Sequence, residues 1–84
     1  MLDLMDIHQK LNGVYERAFI EWKDKSKPIE KLEIYCDYAY GYYVYKNDDD
    51  DYSIFSSRKG KCVNAIMDYL VEKQRFIKSV DVKV

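Results

Sequence analysis

The sequence contains one histidine and two cysteines, and this scarcity excludes most metal and nucleophile chemistry. His8 has Leu11 and Asn12 at the positions three and four residues on, so no second metal ligand would share its face of a helix. Cys36 and Cys62 lack the short spacing of a metal-binding pair. No Ser-His-Asp set, phosphate-binding glycine loop or nucleotide fingerprint occurs. We therefore expect no metal, no other cofactor and no enzymatic activity.

Glycine and proline are also scarce, with three and one respectively, and long apolar runs are missing. The 84 residues predict a single domain spanning 1–84, which is too small to enclose an active-site pocket of the usual size. The segment Met1–Met5 is interrupted by Asp3, so we expect neither a signal peptide nor membrane insertion. These features favour a cytoplasmic protein with both thiols free and buried, and a Cys36–Cys62 disulfide is the alternative.

Two amphipathic segments predict two helices. Apolar residues recur at spacings of three and four between residues 3 and 24, which predicts a first helix over that range, with Asp3 as its N-cap. Pro28 forbids further helix. A second helix is predicted over about 58–77, capped by Ser56 or Ser57. Its apolar stripe comprises Cys62, Val63, Ile66, Tyr69, Leu70 and Phe76 or Ile77.

Alternating patterns predict the strands. Leu32, Ile34 and Cys36 alternate with polar residues, and we expect strands at 31–38, 40–46, 52–56 and 80–84. One long strand bent near Gly41 is the alternative for 31–46. The predicted order is α-β-β-β-α-β. It describes an α+β domain in which an antiparallel meander carries both helices on one face.

Tyrosine and aspartate are concentrated in one segment. Seven of the nine tyrosines lie within 35–52, together with four consecutive aspartates. Tyrosine combines a large contact area with few rotatable bonds and a polar tip, which suits a binding surface. The aspartate run does not fit a calcium loop, because position 12 of that loop would be lysine or arginine. It is either a solvated turn or an acidic patch for a basic partner. We predict a partner-binding surface made of Tyr35, Tyr43, Tyr45, Asp48, Asp49, Asp50 and Asp51.

Charge is divided along the chain, although the net charge is only −1. Residues 32–57 carry six acidic side chains and one basic one, whereas residues 58–84 carry seven basic and three acidic side chains. Arg58, Lys59 and Lys61 open the second predicted helix, where free N–H groups and cations can bind an anion. Alternatively, these cations only balance the acidic turn.

These patterns favour a non-enzymatic protein that binds and inhibits or modulates a larger protein. The acidic, tyrosine-rich face would occlude a basic protein that handles nucleic acid. The Lys-, Tyr-, Asp-, Ile- and Val-rich composition is typical of the AT-rich coding sequence of a low-GC bacterium, its phage or a similar element. A phage or mobile-element anti-defence protein, of the anti-CRISPR type, is one interpretation. The alternative is a small RNA- or DNA-binding domain that uses Arg58, Lys59 and Lys61. A third possibility is an assembly protein that pairs through a free sheet edge. The oligomeric state is left open.

Overall fold

The computed structural model of the chain describes residues 2–47 and 52–84 and shows a small α+β domain. Its five strands form one antiparallel sheet with the order β4-β3-β2-β1-β5. The predicted fold class is confirmed. The elements in chain order are α1 (Leu4–Asn12), β1 (Arg17–Trp22), β2 (Glu30–Asp37), β3 (Gly41–Lys46), β4 (Tyr52–Ser56), α2 (Lys59–Lys73), a 3-10 turn (Gln74–Phe76) and β5 (Ile77–Lys83).

The first helix is much shorter than predicted, and the sheet gains a strand. Helix α1 ends at Asn12, where the N–H of Gly13 donates to the carbonyl oxygens of Gln9 and Lys10. Residues 17–22 then form β1, in which Ala18, Ile20 and Trp22 are buried. A spacing of four fits both an alternating strand and a helix turn, so Ala18 and Trp22 matched the helical pattern as well. The correct order is therefore α-β-β-β-β-α-β.

The helix starts follow the sequence only in part. The carboxylate of Asp3 accepts a hydrogen bond from the N–H of Asp6 at 3.1 Å, so the predicted N-cap of α1 is confirmed. The predicted serine cap of α2 is wrong, because Arg58 occupies the N-cap position and makes no side-chain capping bond. Ser56 lies too early to cap α2, and its hydroxyl instead accepts from the N–H of Arg58.

The segment 31–46 forms two strands joined by a tight turn, as predicted, and the single bent strand is excluded. In the turn, the carboxylate of Asp37 accepts from the N–H of Ala39 at 2.9 Å. Gly41 begins β3 with a φ of 127°, and an added Cβ there would lie 2.7 Å from the carbonyl oxygen of Ser56. Glycine is therefore required where β3 begins beside the end of β4.

Both helices pack on the same side of the sheet, as predicted. One continuous core joins side chains of α1 and α2 to side chains of β1, β2, β3 and β5. Cys36 and Cys62 are free thiols, but only Cys62 is buried, and its burial raises its pKa. The predicted burial of Cys36 is wrong, because Cys36 lies near the end of β2, where it is only half-buried. Within residues 2–47 and 52–84, no helix has the length and apolar character needed to cross a membrane. The core residues are Ile7, Leu11, Ile20, Trp22, Leu32, Ile34, Val44, Cys62, Val63, Ile66, Leu70, Ile77 and Val82.

Candidate functional site

The side of the sheet that faces away from both helices is the candidate site, and we call it the open face. Because side chains alternate along each strand, the residues between the core positions all point to this side. The half of the open face on β2, β3 and β4 is aromatic, whereas the half on β1, β2 and β5 is mostly charged. The aromatic cluster consists of Tyr35, Tyr43, Tyr45 and Phe55. The charged half comprises Arg17, Phe19, Glu21, Lys31, Glu33, Ser79, Asp81 and Lys83.

Strand register brings the aromatic cluster together. Tyr43 lies opposite Tyr35 on β2 and opposite Phe55 on β4. The ring centroids of Tyr43 and Phe55 are 5.0 Å apart, and those of Tyr35 and Tyr45 are 6.0 Å apart with nearly perpendicular planes. These are favourable arrangements for aromatic pairs. The four rings therefore form one connected surface across three strands.

The cluster remains accessible to a partner. Tyr35 is 53% exposed and Phe55 is 48% exposed, whereas Tyr43 and Tyr45 are half-buried. The core residues Leu32, Ile34 and Val44 of β2 and β3 are at most 5% exposed. The prediction that the three tyrosines are more exposed than their apolar neighbours is confirmed.

Phe55 was missing from the predicted site. Strand alternation predicted that Phe55 and Ile54 point to opposite sides of the sheet. It did not predict which residues of β3 lie opposite them, because alternation alone does not give the register between β3 and β4. That register depends on the connection through residues 47–51. In the structure, Tyr43 pairs with Phe55, which puts Phe55 on the same face as the three tyrosines.

The charged half is held by ion pairs within the face. The guanidinium of Arg17 donates to the carboxylate of Glu33 at 2.6 Å, and Lys31 approaches the other oxygen of Glu33 at 3.8 Å. The ammonium of Lys83 lies 3.1 Å from the carboxylate of Asp81 and 5.1 Å from the centre of the Phe19 ring. These charges neutralise one another, so they leave little net charge to attract a partner. The aromatic half is therefore the better candidate for a contact surface.

The three predicted anion-binding residues lie away from the aromatic cluster. Asp48, Asp49, Asp50 and Asp51 lie outside the described residues. Arg58, Lys59 and Lys61 belong to the start of α2, which packs on the helix side of the sheet. The ammonium of Lys59 donates to the carbonyl oxygen of Gly13 at 2.6 Å, so it ties the start of α2 to the end of α1. That contact gives Lys59 a structural role.

A buried carboxylate at the end of the helix side was not predicted. Glu30 is only 8% exposed, and its carboxylate accepts a 2.7 Å hydrogen bond from the hydroxyl of Tyr69. Lys46 lies 3.3 Å from the other carboxylate oxygen. Burial, followed by the bond to Glu30, raises the pKa of Tyr69 above its ordinary value. In the sequence, Glu30 directly precedes the predicted strand 31–38, and nothing near it indicates a partner. The contact with Tyr69 forms only when α2 packs on the sheet.

Chemically, the open face provides contact area and hydrogen-bonding hydroxyls. Among the described residues, no group of three histidine, cysteine, aspartate or glutamate side chains is placed to hold a metal ion. The side chain of His8 lies 3.3 Å from the amide of Asn12 on α1. Comparisons with known protein families, with curated proteins and with solved structures give no match for this chain.

Proposed function

We propose that this protein is a non-enzymatic binding protein that grips a larger protein through the aromatic cluster of its open face. The observation that carries the proposal is the connected, half-exposed surface of Tyr35, Tyr43, Tyr45 and Phe55, which lies opposite both helices. Tyrosine and phenylalanine are enriched at protein interfaces. Contiguous exposed apolar surface of this kind marks interaction sites in soluble domains.

A protein partner fits this surface better than single-stranded nucleic acid. Binding to nucleic acid would need cations around the stacked bases to neutralise phosphates. The cations nearest in the open face, Arg17 and Lys31, already contact Glu33. The segment 32–57, which supplies all four rings, has six acidic side chains and one basic one. A basic partner surface is therefore favoured over a phosphate backbone.

The proposed mode of action is occlusion of a functional surface on a larger, basic protein that handles nucleic acid. A domain of 84 residues has enough surface for an interface of standard size. The composition typical of AT-rich coding sequence supports a phage or mobile-element origin, and inhibition of a host defence protein is the corresponding role. We place the protein in the cytoplasm, which the two free thiols support.

The test is a comparative affinity capture from cell lysate with three versions of the tagged protein. The wild type is compared with the double variant Tyr35→Ala/Tyr45→Ala and with Tyr38→Ala. Tyr38 is a matched control, because it is 100% exposed and lies in the turn outside the cluster. We expect a protein that the wild type and Tyr38→Ala retain and that the double variant loses. Equal retention by all three versions would contradict the proposal.

A gel-shift assay addresses the competing function. In the alternative function, the protein binds RNA or DNA through Arg58, Lys59 and Lys61. We expect no retardation of mixed nucleic acids at physiological salt. If nucleic acid is retarded, the double variant Arg58→Ala/Lys61→Ala is tested next. Loss of retardation in this variant, with an unchanged unfolding midpoint, would show that the protein binds nucleic acid through the start of α2.

After the partner has been identified, the role of the four consecutive aspartates is tested by measuring the association rate. Replacing Asp48, Asp49, Asp50 and Asp51 with asparagine should slow association at low salt, because opposite charges steer encounter. The difference in association rate should shrink as salt rises, since screening weakens steering. An association rate that does not change at low salt would restrict these residues to a role in solubility.

A further inference from the structure

The two edge strands of the sheet differ in how they are protected against pairing with another chain. The strand order places β4 at one edge and β5 at the other. Strand β5 carries three charged residues, Lys78, Asp81 and Lys83, whereas β4, with the sequence Tyr-Ser-Ile-Phe-Ser, carries none. Charges on an edge strand hinder a second chain from pairing with its free N–H and C=O groups. Strand β4 is therefore the less protected edge.

Apolar side chains are exposed on both sides of β4. Ile54, on the helix side, is 36% exposed, and Phe55, on the open face, is 48% exposed. Ile54 also lines an apolar groove of about 320 Å³ between β4 and α2, together with Ala65 and Ile66. A strand added to this edge would lie about 5 Å from β4 and would cover Ile54 and Phe55. The edge therefore offers apolar contact in addition to backbone hydrogen bonds.

The charges that flank β4 in the sequence favour a second copy of this chain as the added strand. Four aspartates stand immediately before Tyr52, where β4 begins, and Arg58 and Lys61 follow Ser56, where it ends. In the part of the chain that the structure describes, no carboxylate forms an ion pair with Arg58 or Lys61. Antiparallel pairing of β4 with β4 of a second copy brings the acidic end of each strand to the basic end of the other. Parallel pairing would bring like charges together.

We propose that the protein forms a two-fold symmetric dimer by antiparallel pairing of β4, which joins two five-stranded sheets into one. The register between β3 and β4 is regular from Ile54 to Ser56 and shifts before Ile54. The pairing is therefore centred on these three residues, with Phe55 opposite Phe55 of the second copy. Because Phe55 belongs to the open face, the two aromatic clusters meet at the two-fold axis.

This interface uses the same surface on both copies, so it closes at two chains. The pairing needs no other protein and is independent of the proposed function. A monomer could still bind a partner through the aromatic cluster, and a dimer could form without one.

Sedimentation equilibrium over about two decades of micromolar concentration measures the dimerisation constant. We expect the mass of the wild type to rise from that of one chain toward that of two. Ile54→Lys places a charge on the edge and should weaken dimerisation at least about tenfold. Ile29→Lys makes the same substitution at a loop residue that is 62% exposed, and it should stay within about twofold of the wild type. Circular dichroism verifies that both variants are folded. A monomeric wild type, or an Ile54→Lys variant that dimerises as tightly as the wild type, would overturn the proposal.

A charge-reversal experiment tests the antiparallel orientation, and it remains decisive if the edge variant does not fold. One variant carries Arg58→Glu and Lys61→Glu, and the other carries lysine at all four positions 48–51. Each alone should dimerise more weakly than the wild type, because like charges meet at both ends of the paired strands. Their equimolar mixture should form heterodimers, because opposite charges then meet at both ends.

A matched control separates this pairing from general attraction between oppositely charged proteins. Lys23→Glu/Lys25→Glu has the same net charge as the Arg58→Glu/Lys61→Glu variant, but its changes lie in the exposed loop after β1. It keeps Arg58 and Lys61, which repel the lysines at 48–51, so its mixture with the lysine variant should associate more weakly. Equal association of the two mixtures, or no heterodimer in the first, would overturn antiparallel pairing of β4.

Discussion

The two faces of the sheet use aromatic rings in opposite ways. On the helix side, Trp22 is 9% exposed and packs among aliphatic residues of the core. On the open face, Tyr35 and Phe55 keep about half of their surface in water, and the cluster's rings contact one another. Both sets arise from the same alternation along strands. What separates them is coverage by helices, so coverage decides which aromatic residues are buried in the core and which remain exposed.

The open face is itself divided into two halves. On the charged half, Arg17, Glu33 and Lys31 satisfy one another. On the aromatic half, Tyr35 is 53% exposed and Phe55 is 48% exposed. Burying paired charges at an interface has a large desolvation cost, whereas burying half-exposed rings is favourable. The energetic difference between the halves places the expected binding hot spot at the tyrosines.

The largest expected effect is on the helix side. Trp22→Ala should lower the free energy of unfolding by about 3–5 kcal/mol, because it removes a buried ring and leaves a cavity. That is a large share of the stability of a small domain. Urea denaturation followed by circular dichroism measures the loss. A midpoint close to that of the wild type would mean that Trp22 is not part of the core, and the contrast between the faces would fail.

On the open face, Tyr35→Ala should have the reverse profile. Its stability cost should stay below about 1 kcal/mol, since only cross-strand contacts are lost. Its cost in partner binding should reach about 2 kcal/mol, mainly as faster dissociation. Urea denaturation and surface plasmon resonance with the captured partner measure the two quantities, and Tyr38→Ala is the control. A stability loss comparable to that of Trp22→Ala would show that the cluster is a second core.

Much of the fold could be predicted from the sequence. The meander from β2 to β4 and the faces of Leu32, Ile34 and Tyr35 followed from strand alternation. Helical spacing predicted the second helix, but its predicted end at 77 was wrong, because α2 ends at Lys73 and β5 already begins at Ile77. Strand β1 was not predicted, because Ala18 and Trp22 also lie at helical spacing. The distinguishing residues were Gly13, which follows the last residue of the helix, and Ile20, which fits only the alternating pattern.

Less of the site could be predicted, because it depends on contacts between distant segments. The three tyrosines lie on neighbouring strands joined by a short turn, so alternation was sufficient for them. Phe55 needed the register across residues 47–51. The bond between Glu30 and Tyr69 joins residues 39 positions apart, and no local pattern reports such a contact.

A smaller effect concerns that bond, which lies at the polar end of the helix side. Tyr69→Phe should destabilise the protein by about 1–2 kcal/mol at neutral pH, because a partly buried hydrogen bond to a carboxylate is lost. The folded-state pKa of Tyr69 is raised above its ordinary value near 10, first by burial and then by the bond to Glu30. The wild-type advantage is therefore fully present below pH 10 and lost as pH rises toward the folded-state pKa. Urea midpoints of both proteins from pH 7 to 11 measure it. A constant difference across that range would contradict the assignment.

The smallest effect is expected in the charged half of the open face. Arg17 and Glu33 form a 2.6 Å ion pair, but the Arg17 side chain is 45% exposed, so water screens the attraction. A double-mutant cycle with Arg17→Gln and Glu33→Gln should give a coupling energy of about 0.2–1 kcal/mol. The coupling should decrease in 1 M salt. Because Lys31 also approaches Glu33, the cycle is repeated in a Lys31→Gln background to separate the two contacts. A coupling above about 2 kcal/mol, well outside the range of exposed pairs, would mean that water does not screen this pair as its exposure implies. The charged half would then contribute to the stability of the sheet, and the energetic contrast between the two halves of the open face would be weaker than proposed.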